Sequence, residues 1–231
     1  MTTSANSIAT RALLVSINIS QWTARRQDKS ETEQVIARTG CSKRSARVNK
    51  SLLPGCTALD KIATKAGEIR RFFNDNTLPW AGDNVRSIRA ESYLDFTQRL
   101  SAHINGFKNL VRDFENNYPQ YITDAYQSLG TLYKPEDYPH PHDIGDKFGV
   151  DVRFMPVPDA GDWRVEVSDE IMSDLQAKMR AEVEKSQAAA MQAAWNRLYD
   201  TVKHAHERLA NPKNVFRDSL LENALEVCAV L

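Results

Sequence analysis

The 231 residues carry 30 Lys and Arg against 30 Asp and Glu, so net charge singles out neither a nucleic acid nor an acidic membrane as partner. A hydrophobic fraction of 42% permits a packed core and excludes wholesale disorder. Cys41, Cys56 and Cys228 are odd in number and outside any metal-ligand spacing, so they read as free thiols of a reducing cytoplasm.

Residues 1–10 are small and polar and predict a disordered tail. No secretory signal follows, and no run of about twenty apolar residues exists, which predicts a cytoplasmic protein with no membrane span. Leu13, Val15, Ile17 and Ile19 then recur at period two and predict a strand near residues 12–20. Asp28 to Thr39 reads as a short polar helix that Gly40 closes. Basic residues gather after it: Lys43, Arg44, Arg47 and Lys50 stand with Arg38 in a stretch free of acids. Such a loop can grip phosphates, although no aromatic is interleaved for base stacking.

Pro54-Gly55 breaks the chain before a helix over Thr57 to about Asn74. Asn74 to Asp83 is dense in turn formers around one aromatic, and predicts a loop pinned by a buried Trp80. Tyr93, Phe96, Leu100, Ile104, Phe107, Leu110, Val111 and Phe114 form an apolar stripe on a helix from about Ala90 to Asn117. Tyr118-Pro119 is expected to end it, with a further short helix over Tyr121–Leu129 closed by Gly130. His140 and His142, with Asp143 and Asp146 nearby, come closest to a metal site. Pro139 and Pro141 favour a polyproline turn there, and Asp143 is expected to cap a helix over Ile144–Phe148.

Alternation resumes at 150–157 and 163–167, predicting a hairpin that pairs with the first strand in a sheet of about three strands. From Ser168 to Asn211 the chain reads as one long helix of roughly 60 Å. Its apolar residues, among them Leu175, Met179, Val183, Met191, Ala194, Trp195, Leu198, Val202 and Leu209, fall three or four apart along a seam. A final helix, Phe216 to Leu231, carries Leu221 and Leu225. The fold class that follows is mainly α with a small antiparallel β-sheet, and a long helical hairpin or coiled-coil-like arm. Residues 11–167 are expected to form one domain and 168–231 to pack on it or on another subunit.

No phosphate loop, nucleophile elbow, dinucleotide fingerprint or helical Glu-x-x-His pair occurs, so an enzyme is not expected and no cofactor or metal is implied. The strings ALLVSINISQW at 12–22, NKSLLP at 49–54, NTLPW at 76–80, YP at 138–139 and FMPVP at 154–158 resemble, in this order, a family encoded by bacteriophages, plasmids and integrative elements. That family is a domain without an assigned activity, often encoded beside a MoxR-type AAA+ ATPase and a von Willebrand A-type protein. The resemblance implies a non-enzymatic partner of such proteins in the bacterial host cell. The leading expectation is thus a scaffold or adaptor that forms homo-oligomers through Leu175, Met179, Trp195, Leu198, Val202, Leu221 and Leu225. One alternative is a nucleic-acid-binding accessory in replication or recombination, acting through Lys43, Arg44, Arg47 and Lys50. Another is a phage inhibitor of a host defence protein.

Overall fold

The structure is a computed structural model that describes residues 11–82, 84–158, 169–210 and 225. The expected tail over 1–10, the strand at 163–167 and the final helix with Leu221 lie outside them. Leu225 alone is described there, as helical and exposed. The chain is mainly helical with a small antiparallel sheet. It divides into two compact units, one of Met1–Asn18, Ile69–Ala102 and Asp151–Leu231, the other of Ile19–Glu68 and His103–Val150. Among the described residues no helix is long and apolar enough to cross a membrane.

The elements in chain order are β1 (Ala12–Ser20), β2 (Arg25–Asp28), α1 (Lys29–Thr39), β3 (Val48–Ser51), α2 (Thr57–Asp75), β4 (Leu78–Ala81), β5 (Val85–Arg89), α3 (Tyr93–Leu129), β6 (Gly149–Pro156) and α4 (Asp169–Ala210). A four-stranded sheet runs β4-β5-β1-β6. β1 pairs antiparallel with β5, Ala12 opposite Arg89 and Ser16 opposite Val85. Adjacent residues Leu14 and Val15 are both buried, because β1 is an inner strand covered on both faces.

The expected loop over 74–83 is instead the start of a hairpin that adds β5 and β4 on one side of β1, while the strand expected at 150–157 lies beside β1 as β6. Pro79 explains why the strand was hidden. Proline lacks a ladder donor and is confined to edges, and β4 is the edge of this sheet. Trp80 is buried as expected, packed with Leu14 and Val157.

In the first unit Phe72 and Phe73 of α2 meet Phe96 of α3, the Phe72 and Phe96 rings stacked at 5.6 Å. In the second, Phe107, Val111, Phe114 and Tyr118 of α3 form a buried row at helical spacing. This row carries α3 through Pro119, so the break expected at Tyr118-Pro119 does not occur. Proline forfeits its bond to the Glu115 carbonyl and its ring crowds that carbonyl. Phe114 and Tyr118, both fully buried, outweigh that loss, and Trp22 sets its ring edge-on to Tyr118 at 5.9 Å. The Tyr118 hydroxyl donates to the Pro139 carbonyl at 3.1 Å, and burial pushes its pKa up.

Gly40 closes α1 in the left-handed conformation, φ 65°, donating its N–H to the Ile36 carbonyl. The helix expected over Ile144–Phe148 is only a 3-10 turn, Gly145–Lys147, and Asp143 does not cap it.

Candidate functional site

α4 runs for 42 residues and builds two faces of different character. Its inner face is made of small residues: Ser186, Ala190 and Ala194 are buried and let the helix approach β4 closely. Val183 joins the cluster of Leu14, Trp80 and Val157. Helix-on-strand packing against β4 therefore buries this side of α4.

Rotation of α4 about its own axis is fixed by Arg197. Its guanidinium donates to the Asn74 carbonyl at 2.8 Å and the Asp75 carbonyl at 3.2 Å. These lie at the C-terminus of α2, where carbonyls lack helical partners and the dipole favours a cation. Arg86 donates to the same Asn74 carbonyl at 3.1 Å and to the Thr77 carbonyl at 2.8 Å. Burial lowers the pKa of both guanidinia, and for Arg86 the neighbouring Arg197 charge adds to it.

Residues two positions from Arg197 lie about 200° around the helix, so Trp195 and Tyr199 point away from the body. They belong to an outer stripe of Met191 (46% exposed), Trp195 (58%), Tyr199 (67%), Val202 (56%) and Leu209 (64%). Steps of four, four, three and seven keep all five within roughly 80° of arc over about 27 Å.

The expected interface residues are thus divided. Trp195 and Val202 are on the exposed stripe and Leu198 is half-buried at its flank, whereas Leu175 and Met179 are half-buried on the opposite, inner side of the helix. Leu225 is exposed, and Leu221 lies outside the described residues. Successive steps of four advance 40° each on a 3.6-residue helix, so a seam counted by spacing alone turns from the inner face to the outer. Tyr199, four residues after Trp195 and three before Val202, was missed because Leu198 already filled the three-and-four spacing between them.

The basic segment is also divided. Lys43, Arg44 and Arg47 are exposed, but Lys50 is buried on β3 and unavailable to a phosphate, which corrects its assignment as a nucleic-acid contact. Its ammonium lies 2.7 Å from Asp137, 3.2 Å from Asp28 and 2.7 Å from the Leu132 carbonyl. Burial alone would lower the Lys50 pKa, but hydrogen bonds to Asp137 and Asp28 overcome it and the net shift is upward. Asp28 N-caps α1, accepting from the Ser30 hydroxyl at 2.7 Å and the Glu31 N–H at 3.2 Å. Those two bonds, then Lys50 and Lys134, hold its carboxyl well below the usual carboxylate range.

Beside this cluster is an open cleft of about 450 Å³ whose walls include Trp22, Arg25, Arg26, Asp137, Tyr138 and Lys147. Arg26 is pinned across it to Asp137 at 3.0 Å, and the Tyr138 hydroxyl donates to the Leu52 carbonyl at 2.7 Å. Glu136 and Asp143 also line it, so both signs of charge meet there and neither a simple anion nor a cation is selected. His140 accepts the His142 N–H on Nδ1 at 3.2 Å, an arrangement of a tight turn. Among the described residues no three His, Cys, Asp or Glu side chains are grouped to hold a metal ion.

No family model, curated protein or solved structure matches this chain.

Proposed function

We propose that the protein is a non-enzymatic scaffold or adaptor of a phage or mobile element, which self-associates and docks a protein partner through the outer face of α4. Five large side chains, Met191, Trp195, Tyr199, Val202 and Leu209, carry this reading. Leaving such a stripe in water forgoes about 25 cal/mol per Å² of apolar surface, and a contiguous patch of this kind marks an interaction site. Arg197 and the small inner residues commit the helix to this orientation, so the exposure is a product of the fold. The resemblance to a family encoded beside AAA+ ATPases suggests that class of protein as the partner. The nucleic-acid reading keeps Lys43, Arg44 and Arg47 but loses Lys50 to its buried carboxylates, and the inhibitor reading has no observation of its own.

Size-exclusion chromatography with light scattering tests the proposal. The unaltered chain should elute as a dimer or larger species, and Trp195→Asp combined with Val202→Asp should yield a monomer of unchanged helicity. A unaltered chain that is monomeric at every concentration, or a double variant that keeps its mass, would refute self-association through this face.

A further inference from the structure

The outer face of α4 changes character along its length. Before the large residues begin, the same 80° of arc carries Ser173, Ala177, Ala181, Glu184 and Ala188, all exposed. One face thus holds small residues and a single carboxylate, Glu184, in its first half, and Met191, Trp195, Tyr199 and Val202 in its second. We infer that the occupant of this face is a second copy of the chain, paired antiparallel about a two-fold axis near residue 190. This rests on the self-association proposed above and specifies its geometry.

Only that direction makes the face complementary to itself. With residue 190 at the axis, Tyr199 of each copy meets Ala181 of the other, and Trp195, level with Lys185, settles between Glu184 and Ala188. Val202 meets Ala177. Large side chains then fill the space that small ones leave, as close packing requires. A parallel pair would set Trp195 against Trp195 and leave the alanines facing a gap.

Charge agrees with the antiparallel direction. Lys203, on the flank of the second half, and His206, within the arc itself, are both exposed and come opposite the partner's Asp174, whose own carboxylate lies 2.7 Å from Lys178. The two-fold axis repeats each such meeting. Residues 177–202 span about 38 Å, and a helix 10–12 Å wide over that length gives on the order of 1,000 Å² for the two copies together, the lower end of specific interfaces.

Cysteine cross-linking tests the direction, in a background in which Cys41, Cys56 and Cys228 are replaced by serine. Met191→Cys places two thiols about 3 Å apart along the axis, whereas Val202→Cys places them about 36 Å apart. Mild oxidation should therefore link the M191C dimer and leave V202C unlinked, and a chain bearing both A181C and Y199C should also link. In the natural background Ala181→Trp, at a position open to solvent in one copy, should raise the dimer dissociation constant at least ten-fold with helicity unchanged. Equal linking of M191C and V202C would show a parallel pair, and a dimeric mass with no linking would show another face; either overturns the inference while self-association stands. An unchanged dissociation constant for Ala181→Trp also overturns it. A monomeric unaltered chain removes both proposals together.

Discussion

Lys50 stands in a run of cations, yet its environment is set by Asp28 and Asp137, two carboxylates distant in sequence. Spacing along the chain carries no trace of such a partnership, because it forms only when β2 and β3 pair and the 3-10 turn at Pro135–Asp137 closes over them. The Asp28 cap, by contrast, was legible, since an acid before a polar helical run has a local hydrogen-bonding role. The same carboxylate sets a pH response. Its pKa in the folded chain lies below that of the unfolded chain, so its stabilisation is complete above about pH 4 and is lost as pH falls from there toward the folded value. Each unit of acidification in that window should cost up to ~1.4 kcal/mol through this group. Asp28→Asn keeps the cap and removes the charge. Urea titrations from pH 7 to 3 should show a variant less stable at neutrality by about 1–3 kcal/mol, with a shallower loss in acid. An equally steep acid loss in the variant would assign the effect to other carboxylates.

Helices declared themselves in the sequence wherever apolar spacing was sustained, and α3 and α4 were both foreseen in type. Interruptions were harder to read. Pro119 looked like a stop because its local cost is plain, and the compensating burial of Phe114 and Tyr118 is supplied from elsewhere in the fold. Pro79 masked β4 in the same way, since the tolerance of an edge position is a property of the sheet. The α3 case can be measured. Pro119 is itself exposed, so Pro119→Ala restores a backbone donor without emptying the core. A gain of ~1–3 kcal/mol in unfolding free energy is expected, seen as a higher urea midpoint at unchanged slope. A lower midpoint would show that the proline ring contributes packing of its own.

For the entire chain, equal numbers of acids and bases put the isoelectric point near 7.0. Proteins near zero net charge are prone to non-specific association, which added salt and a shift in pH both weaken. Pairing through an apolar stripe behaves otherwise. The assembled mass of this chain should persist at pH 8.5 in about 0.5 M sodium chloride, where the Debye length is only about 4–5 Å. Dissociation to monomers under those conditions would assign the association to charge. The composition announced the neutrality. It could not announce the stripe, because the division of α4 into inner and outer faces depends on what Arg197 finds at the end of α2.

That anchoring has an evolutionary corollary. With its azimuth held by Arg197 and its spacing by Ser186, Ala190 and Ala194, the helix needs nothing from Met191, Trp195 or Tyr199 in order to fold. Those sites are free to be rewritten, so descendants or engineers could exchange one binding preference for another while the scaffold beneath goes untouched.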